Sequence, residues 1–148
     1  MPFLIRYPGK IKSHSQNNDM ILNVDFAPTF LEYAGLPVPK EMQGRSIFPL
    51  LNEKTPKDWR TTMYYRYYHY PADHRVQPHY GVRTERYKLI YFNKINEWEL
   101  FDLEKDPHEL NNIYANPEYA DTVSKLKTEL ARLRQELDDR DQFQDQQK

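Results

Sequence analysis

The sequence predicts an α+β fold, and three observations carry that prediction. Apolar residues from 119 to 137 recur at alternating steps of four and three, the spacing of one helix face. Residues 62–103 are rich in tyrosine and other strand-prone residues and are broken at short intervals by turn-forming positions. Residues 23–35 read as a short helix closed by a glycine. A chain of 148 residues and 18.0 kDa has room for one ordinary domain or for parts of two smaller ones.

Taken in order, Phe3, Leu4 and Ile5 read as a short buried strand that ends at the turn-forming pair Pro8-Gly9. A chain that opens inside a strand is expected to be a piece of something longer. After a polar stretch, Asn23 or Asp25 can cap a helix in which Pro28 falls within the first turn. Ala27, Phe30, Leu31 and Ala34 share one face of it. Gly35 ends it, with Leu36 placed to fold back on the last turn. Residues 46–51 suggest one more short helical piece, and the proline-bearing residues 52–58 a linker. Strands are then expected within 62–70, at 80–84, 86–92 and 97–103, with a tight break at Glu85 and a loop at 71–78. Such closely spaced strands form an antiparallel meander of about four. Asn116-Pro117-Glu118 is a helix start, with a cap, a proline at the first helical position and an acid in the first turn. Tyr119, Val123, Leu126, Leu130, Leu133 and Leu137 form the stripe that packs this helix on the sheet. Lys125 with Glu129 and Glu136 with Arg140 can pair on its solvated side, and the polar tail from about 138 is expected to fray.

Composition excludes several classes. No run approaches the roughly 18 apolar residues of a membrane helix. A net charge of -1 gives no sign of a globally basic nucleic-acid binder, so neither nucleic acid nor membrane is expected as a partner. The absence of cysteine removes disulfides, thiolate metal sites and cysteine nucleophiles. Charge is nonetheless uneven: residues 57–94 carry a net +5 and residues 97–148 a net -7.

No nucleophile elbow, P-loop or dinucleotide motif is present, and Ser13, Ser15, Ser46 and Ser124 read as surface or capping hydroxyls. His74 and His79 flank a loop without the fixed geometry of a metal pair, and Asp102 and Asp106 suit a turn before Pro107. The basic aromatic segment is the one distinctive feature. Arg66, His69, His74, Arg75, His79 and Arg83 are interleaved with tyrosines there. Arginine and histidine donors suit sulfate or phosphate, and tyrosine faces suit sugars. A tyrosine-rich sheet with charges on its exposed face would carry the same residues.

The residues also carry a resemblance. The runs Pro2–Ile11, Asn23–Leu31 with Ala34-Gly35, Gln43–Ser46 with Pro49-Leu50-Leu51, His79–Thr84 with Arg86–Ile90, and Glu97–Leu103 with Asp106-Pro107 and Glu109–Asn112 occur in the order found in sulfatases. From about Pro2 to about Leu137 the chain resembles the C-terminal portion of formylglycine-dependent sulfatases of the alkaline-phosphatase-like superfamily. Its flavour is that of bacterial N-acetylglucosamine-6-sulfatase-like arylsulfatases.

This resemblance implies that residues 1–54 are the C-terminal end of an α/β catalytic core and that 55–148 form the C-terminal sulfatase subdomain. Without the rest of the core, the first strand edge and the first helix face would lie bare. It implies formylglycine and calcium as the family's cofactors. The Cys/Ser-x-Pro-x-Arg motif and the paired aspartates that serve them are both absent from this chain. No residue here is therefore expected to be catalytic or metal-binding. Asp25 and Thr29 are expected to cap and pack a helix, while His74, His79 and Arg75 are expected to face a sulfated carbohydrate. The implied function is the substrate-pocket wall of a sulfatase. A phosphoric-ester or phosphonate hydrolase of the same superfamily and a non-catalytic binder of sulfated glycan are the alternatives. The family suggests a periplasmic or secreted setting.

Overall fold

The computed structural model describes residues 3–71 and 74–140, and the chain forms two compact units that divide between Thr61 and Thr62. The first therefore extends past the 52–58 linker, because Trp59 and Arg60 are bound into it. Trp59 packs with Ile47 and Leu50, and its indole N–H donates to the Met20 carbonyl at 3.0 Å.

In the first unit, α1 (Phe26–Tyr33) follows a 3-10 turn at Asn23–Asp25, and α2 (Phe48–Leu51) is a single turn. Gly35, with φ +70°, closes α1. Its N–H donates to Glu32 O and the Leu36 N–H to Leu31 O, both near 3.0 Å, so two end carbonyls of the helix are satisfied. Neither Asn23 nor Asp25 caps α1 through its side chain, contrary to expectation. The Asp25 carboxylate has other donors. It is fully buried and accepts from the Leu22 N–H at 2.7 Å, the Arg45 N–H at 2.9 Å and both terminal nitrogens of Arg60. Thr29 accepts from the Ile47 N–H at 3.0 Å and donates to the Asp25 carbonyl. Gly44 makes this possible, since a Cβ there would lie 1.9 Å from the Val24 carbonyl oxygen.

The expected strand at 3–5 is not formed. A strand needs a neighbour for its N–H and C=O groups, and no described residue pairs with it. Phe3 stacks on Phe26 with centroids 4.9 Å apart, while Leu4 is 92% exposed. The apolar face of α1 is likewise bare, with Ala27 and Ala34 exposed and Phe30 63% exposed.

The second unit is the expected meander. Strands β1 (Thr62–Tyr67), β2 (His79–Thr84), β3 (Tyr87–Phe92) and β4 (Glu97–Asp102) pair antiparallel in the order β1-β2-β3-β4. The Thr84 hydroxyl accepts the N–H groups of Arg86 and Tyr87 at the tight β2–β3 turn. Tyr64, Val82, Leu89 and Leu100 lie opposite one another across the four strands. Val82, Leu89 and Leu100 are sealed by Leu126, Leu130 and Leu133 of α3 (Ala120–Glu136). Asn116 caps the turn that leads into α3 by accepting the Glu118 N–H at 3.0 Å.

Two expectations about α3 are corrected. Glu129 and Glu136 both pair with Arg132, at 2.8 and 2.6 Å, rather than with Lys125 and Arg140. Glu129 leans toward the sheet to accept the Thr62 hydroxyl, and Arg140 bonds Asp138. The chain does not fray at 138. Asp139 accepts from Tyr64 and from Arg66, whose side chain is only 5% exposed, so a buried guanidinium holds the helix exit. The rest of the expected tail, 141–148, lies outside the described residues.

The leucine stripe supplies most of the apolar burial under α3. Leu130→Ala is therefore expected to cost about 2–5 kcal/mol in urea denaturation of the 148-residue chain, with the transition remaining cooperative. A loss below about 0.5 kcal/mol would show that α3 does not hold the sheet.

Candidate functional site

Strand period decides which side chains are left for function. With Tyr80, Val82 and Leu89 under α3, the intervening residues point to the opposite face. That face carries Tyr65 and Tyr67 of β1, His79, Gly81 and Arg83 of β2, and Lys88 and Phe92 of β3.

His79, the first residue of β2, pairs across the ladder with Tyr67, the last of β1. Its ring stacks on Tyr67 with centroids 5.5 Å apart, meets the edge of Tyr65 at 6.0 Å and touches Phe92 at 5.1 Å. Nδ1 lies 2.8 Å from the Gln77 carbonyl oxygen. Tyr65 crosses over Gly81, where a Cβ would lie 2.4 Å from Leu89 O and 2.7 Å from the phenol oxygen. That oxygen is buried and has no hydrogen-bond partner among the described residues. Burial pushes the Tyr65 phenol well above its usual range, Glu109 and Glu99 add to the shift, and Arg83 opposes it. Lys88 lies 5.9 Å from the Tyr65 ring centroid and is paired with Glu109.

The other expected ligand-facing residues are more open. His74 and Arg75 are exposed on the segment entering β2, Arg75 with φ +49°, and neither bonds to another described residue. Tyr70 is also exposed there. Among the described residues no hydrogen bond or ring contact joins His74 or Arg75 to His79. Arg66 is removed from the anion-facing set because Asp139 neutralises it. Tyr64 and Tyr80 are removed as well, since both pack under α3. The basic aromatic segment thus splits by strand face into a half tied to the acidic helix end and a half that is not. Tyr65, Tyr67 and the Lys88–Glu109 pair went unremarked in the sequence. Their signal was the alternation along β1 with a glycine set opposite Tyr65.

The turn carboxylates are structural, as expected. Asp106 accepts the N–H groups of Leu110 and Asn111 at 2.9 and 2.8 Å. Asp102 is chiefly the bidentate partner of Arg86, at 3.1 and 2.8 Å. Ser15 donates to the Lys12 carbonyl and Ser46 accepts the Phe48 N–H, local contacts of the capping kind expected of them.

Residues 1–136 match the family described as N-sulphoglucosamine sulphohydrolase, C-terminal. The chain belongs to this sulfatase family. It is 50% identical over 144 residues to an N-acetylglucosamine-6-O-sulfatase of Bacteroides thetaiotaomicron, a match covering 95% of this chain and 26% of that protein. It is 30% identical over 135 residues to a multifunctional alkaline phosphatase superfamily protein of Trinickia caryophylli, covering 83% of this chain and 26% of that one. Among solved structures it is similar to a protein in complex with its substrate D-glucosamine-2-N,6-O-disulfate. That match has a TM-score of 0.87 and 48% identity, and it covers 92% of this chain and 28% of the other. The sulfatase chain spans roughly a quarter of the length of these relatives.

The cofactors of formylglycine-dependent sulfatases do not fit the residues present. The chain has no cysteine and no serine two positions before a proline. Among the described residues, no three His, Asp or Glu side chains gather as a hard cation requires. No chemical step is therefore assigned to this sulfatase chain.

The Arg86–Asp102 pair gives a pH signature. The hydrogen-bonded guanidinium holds the Asp102 carboxyl below the usual aspartate range. A carboxyl lowered on folding stabilises fully above its unfolded value of about 4 and loses that contribution as pH falls through the lower folded value. Arg86→Met is expected to lower the urea midpoint at neutral pH, with the gap from wild type closing in acid. A gap that persists unchanged to acid pH would show that the pair does not couple to stability.

Proposed function

We propose that this chain is the substrate-side wall of a sulfatase that hydrolyses a sulfate ester on a sulfated amino sugar of the glycosaminoglycan type. The observation that carries this is the match along nearly the whole chain, at 48% identity, to a structure holding D-glucosamine-2-N,6-O-disulfate. The chain's own surface supports it. His74 and Arg75 are exposed cationic or hydrogen-bonding groups with no partner among the described residues, on the segment that leads into the strand carrying His79. Arginine and histidine donors match sulfate oxygens.

The bare α1 face and the unpaired segment at 3–5 support a second part of the reading: the rest of a sulfatase core is the partner of the first unit. Exposed apolar surface of that kind marks a face that another part of a protein covers. Formylglycine and calcium would belong to that partner, so the 148-residue chain alone is expected to be inactive on an aryl sulfate supplied with calcium.

The test is retention on immobilised heparin at moderate salt. The wild-type chain is expected to be held, and a His74→Ala, Arg75→Ala, His79→Ala variant with an unchanged unfolding curve is expected to elute at clearly lower salt. Equal retention of the two would remove these residues from the substrate side. Clear turnover by the repurified chain would overturn the division of labour.

A further inference from the structure

We infer that His79 reads the sugar and not its sulfate: its Nε2 is a hydrogen-bond acceptor for a hydroxyl or amide N–H of the amino sugar. This rests on the reading that the His74, Arg75 and His79 side of the chain faces substrate, and it assigns His79 a chemistry distinct from the other two.

The argument begins at Nδ1. A backbone carbonyl oxygen can only accept, so the 2.8 Å contact with Gln77 requires the hydrogen to sit on Nδ1. In the neutral ring Nε2 is then a bare lone pair. The ring cannot easily turn to exchange its two nitrogens. Tyr67 stacks on one face, and Tyr65 and Phe92 hold it from other directions. Histidines that present one chosen nitrogen to a ligand are commonly fixed by such a carbonyl contact on the other.

Nε2 itself has no partner among the described residues, and it is not among the side-chain atoms sealed from solvent. No carboxylate among the described residues bonds to the ring. A sulfate oxygen carries no hydrogen and would meet the lone pair with repulsion. A hydroxyl or amide N–H meets it with a hydrogen bond. Specificity follows: an acceptor fixed in place discriminates against a sugar that lacks the matching donor, because the acceptor loses its water for nothing in return. Arg75, exposed and always charged, is the complementary choice for a sulfate oxygen.

The experiment is a two-bond proton–nitrogen spectrum of the isotope-labelled 148-residue chain at neutral pH, with His79→Gln to assign the signal. The expected result is a hydrogen on Nδ1 and an unprotonated Nε2. Titration with D-glucosamine 6-sulfate is expected to move the Nε2 signal upfield, while inorganic sulfate leaves it in place. His79→Ala should weaken binding of that sugar about 5–10-fold, the worth of one ordinary hydrogen bond. A hydrogen on Nε2, or on both nitrogens, overturns the assignment whatever the sugar does. An Nε2 signal that stays still while His74 and Arg75 signals respond to the sugar overturns it too, and leaves the substrate-facing reading standing. No response from any of the three overturns both.

Discussion

Everything the second unit can do depends on one row of residues. Val82, Leu89 and Leu100 have no exposed surface and lie opposite one another on β2, β3 and β4. Once they are committed to α3, the two-residue period of a strand leaves no choice for their neighbours. His79, Gly81 and Arg83 must face the other way, as must Tyr65 and Tyr67 across the β1 ladder. A slip of one residue would bury the histidine and arginine and expose the valine. The same apolar burial that stabilises the sheet therefore positions the side chains that are available to a ligand.

The charge asymmetry of the sequence takes on meaning only in this geometry. The sequence sets a basic middle segment against an acidic last third. Much of the contrast is internal pairing instead. Asp139 meets Arg66 and Tyr64, Asp102 meets Arg86, and Glu109 meets Lys88. Burying the Arg66 guanidinium at 5% exposure without a carboxylate would be costly, and the partner lies 73 residues away. What the pairing leaves over is a smaller set that includes His69, His74, Arg75 and Arg83, which bond to no described residue, and His79 with one nitrogen uncommitted.

The legible and illegible parts of the fold divide by the range of the interaction that makes them. The meander and α3 were readable because strand alternation, a tight break after Thr84 and a 4-3-4 leucine spacing are local signals. Phe3, Leu4 and Ile5 have the composition of a strand, but strand formation is a property of a pair of segments, and no described residue supplies the other member. Asp25 read as a cap because a cap is the local use of an aspartate before a helix. Its actual partners include Arg60, 35 residues on, and an N–H that only Gly44 allows to approach. At the candidate site, residue types were visible in sequence. The hydrogen on Nδ1 of His79 was not, because it depends on where the Gln77 carbonyl points.

The Asp25 knot also explains how the first unit keeps its shape with an apolar helix face uncovered. Four N–H donors converge on one buried carboxylate, and the two guanidinium groups of Arg45 and Arg60 lie 4.8 and 5.0 Å from the centroid of Trp59. These polar ties fix the angle between α1 and the segment carrying α2 without calling on Phe30 or Ala34. A helix oriented by its buried polar side can present its apolar side ready-made. Covering that side then need not reorganise the backbone, and the free energy of burying it goes into association instead. Where the rest of a sulfatase core is the proposed partner, as the relatives' roughly fourfold length suggests, such an arrangement would let this segment meet it as a formed surface.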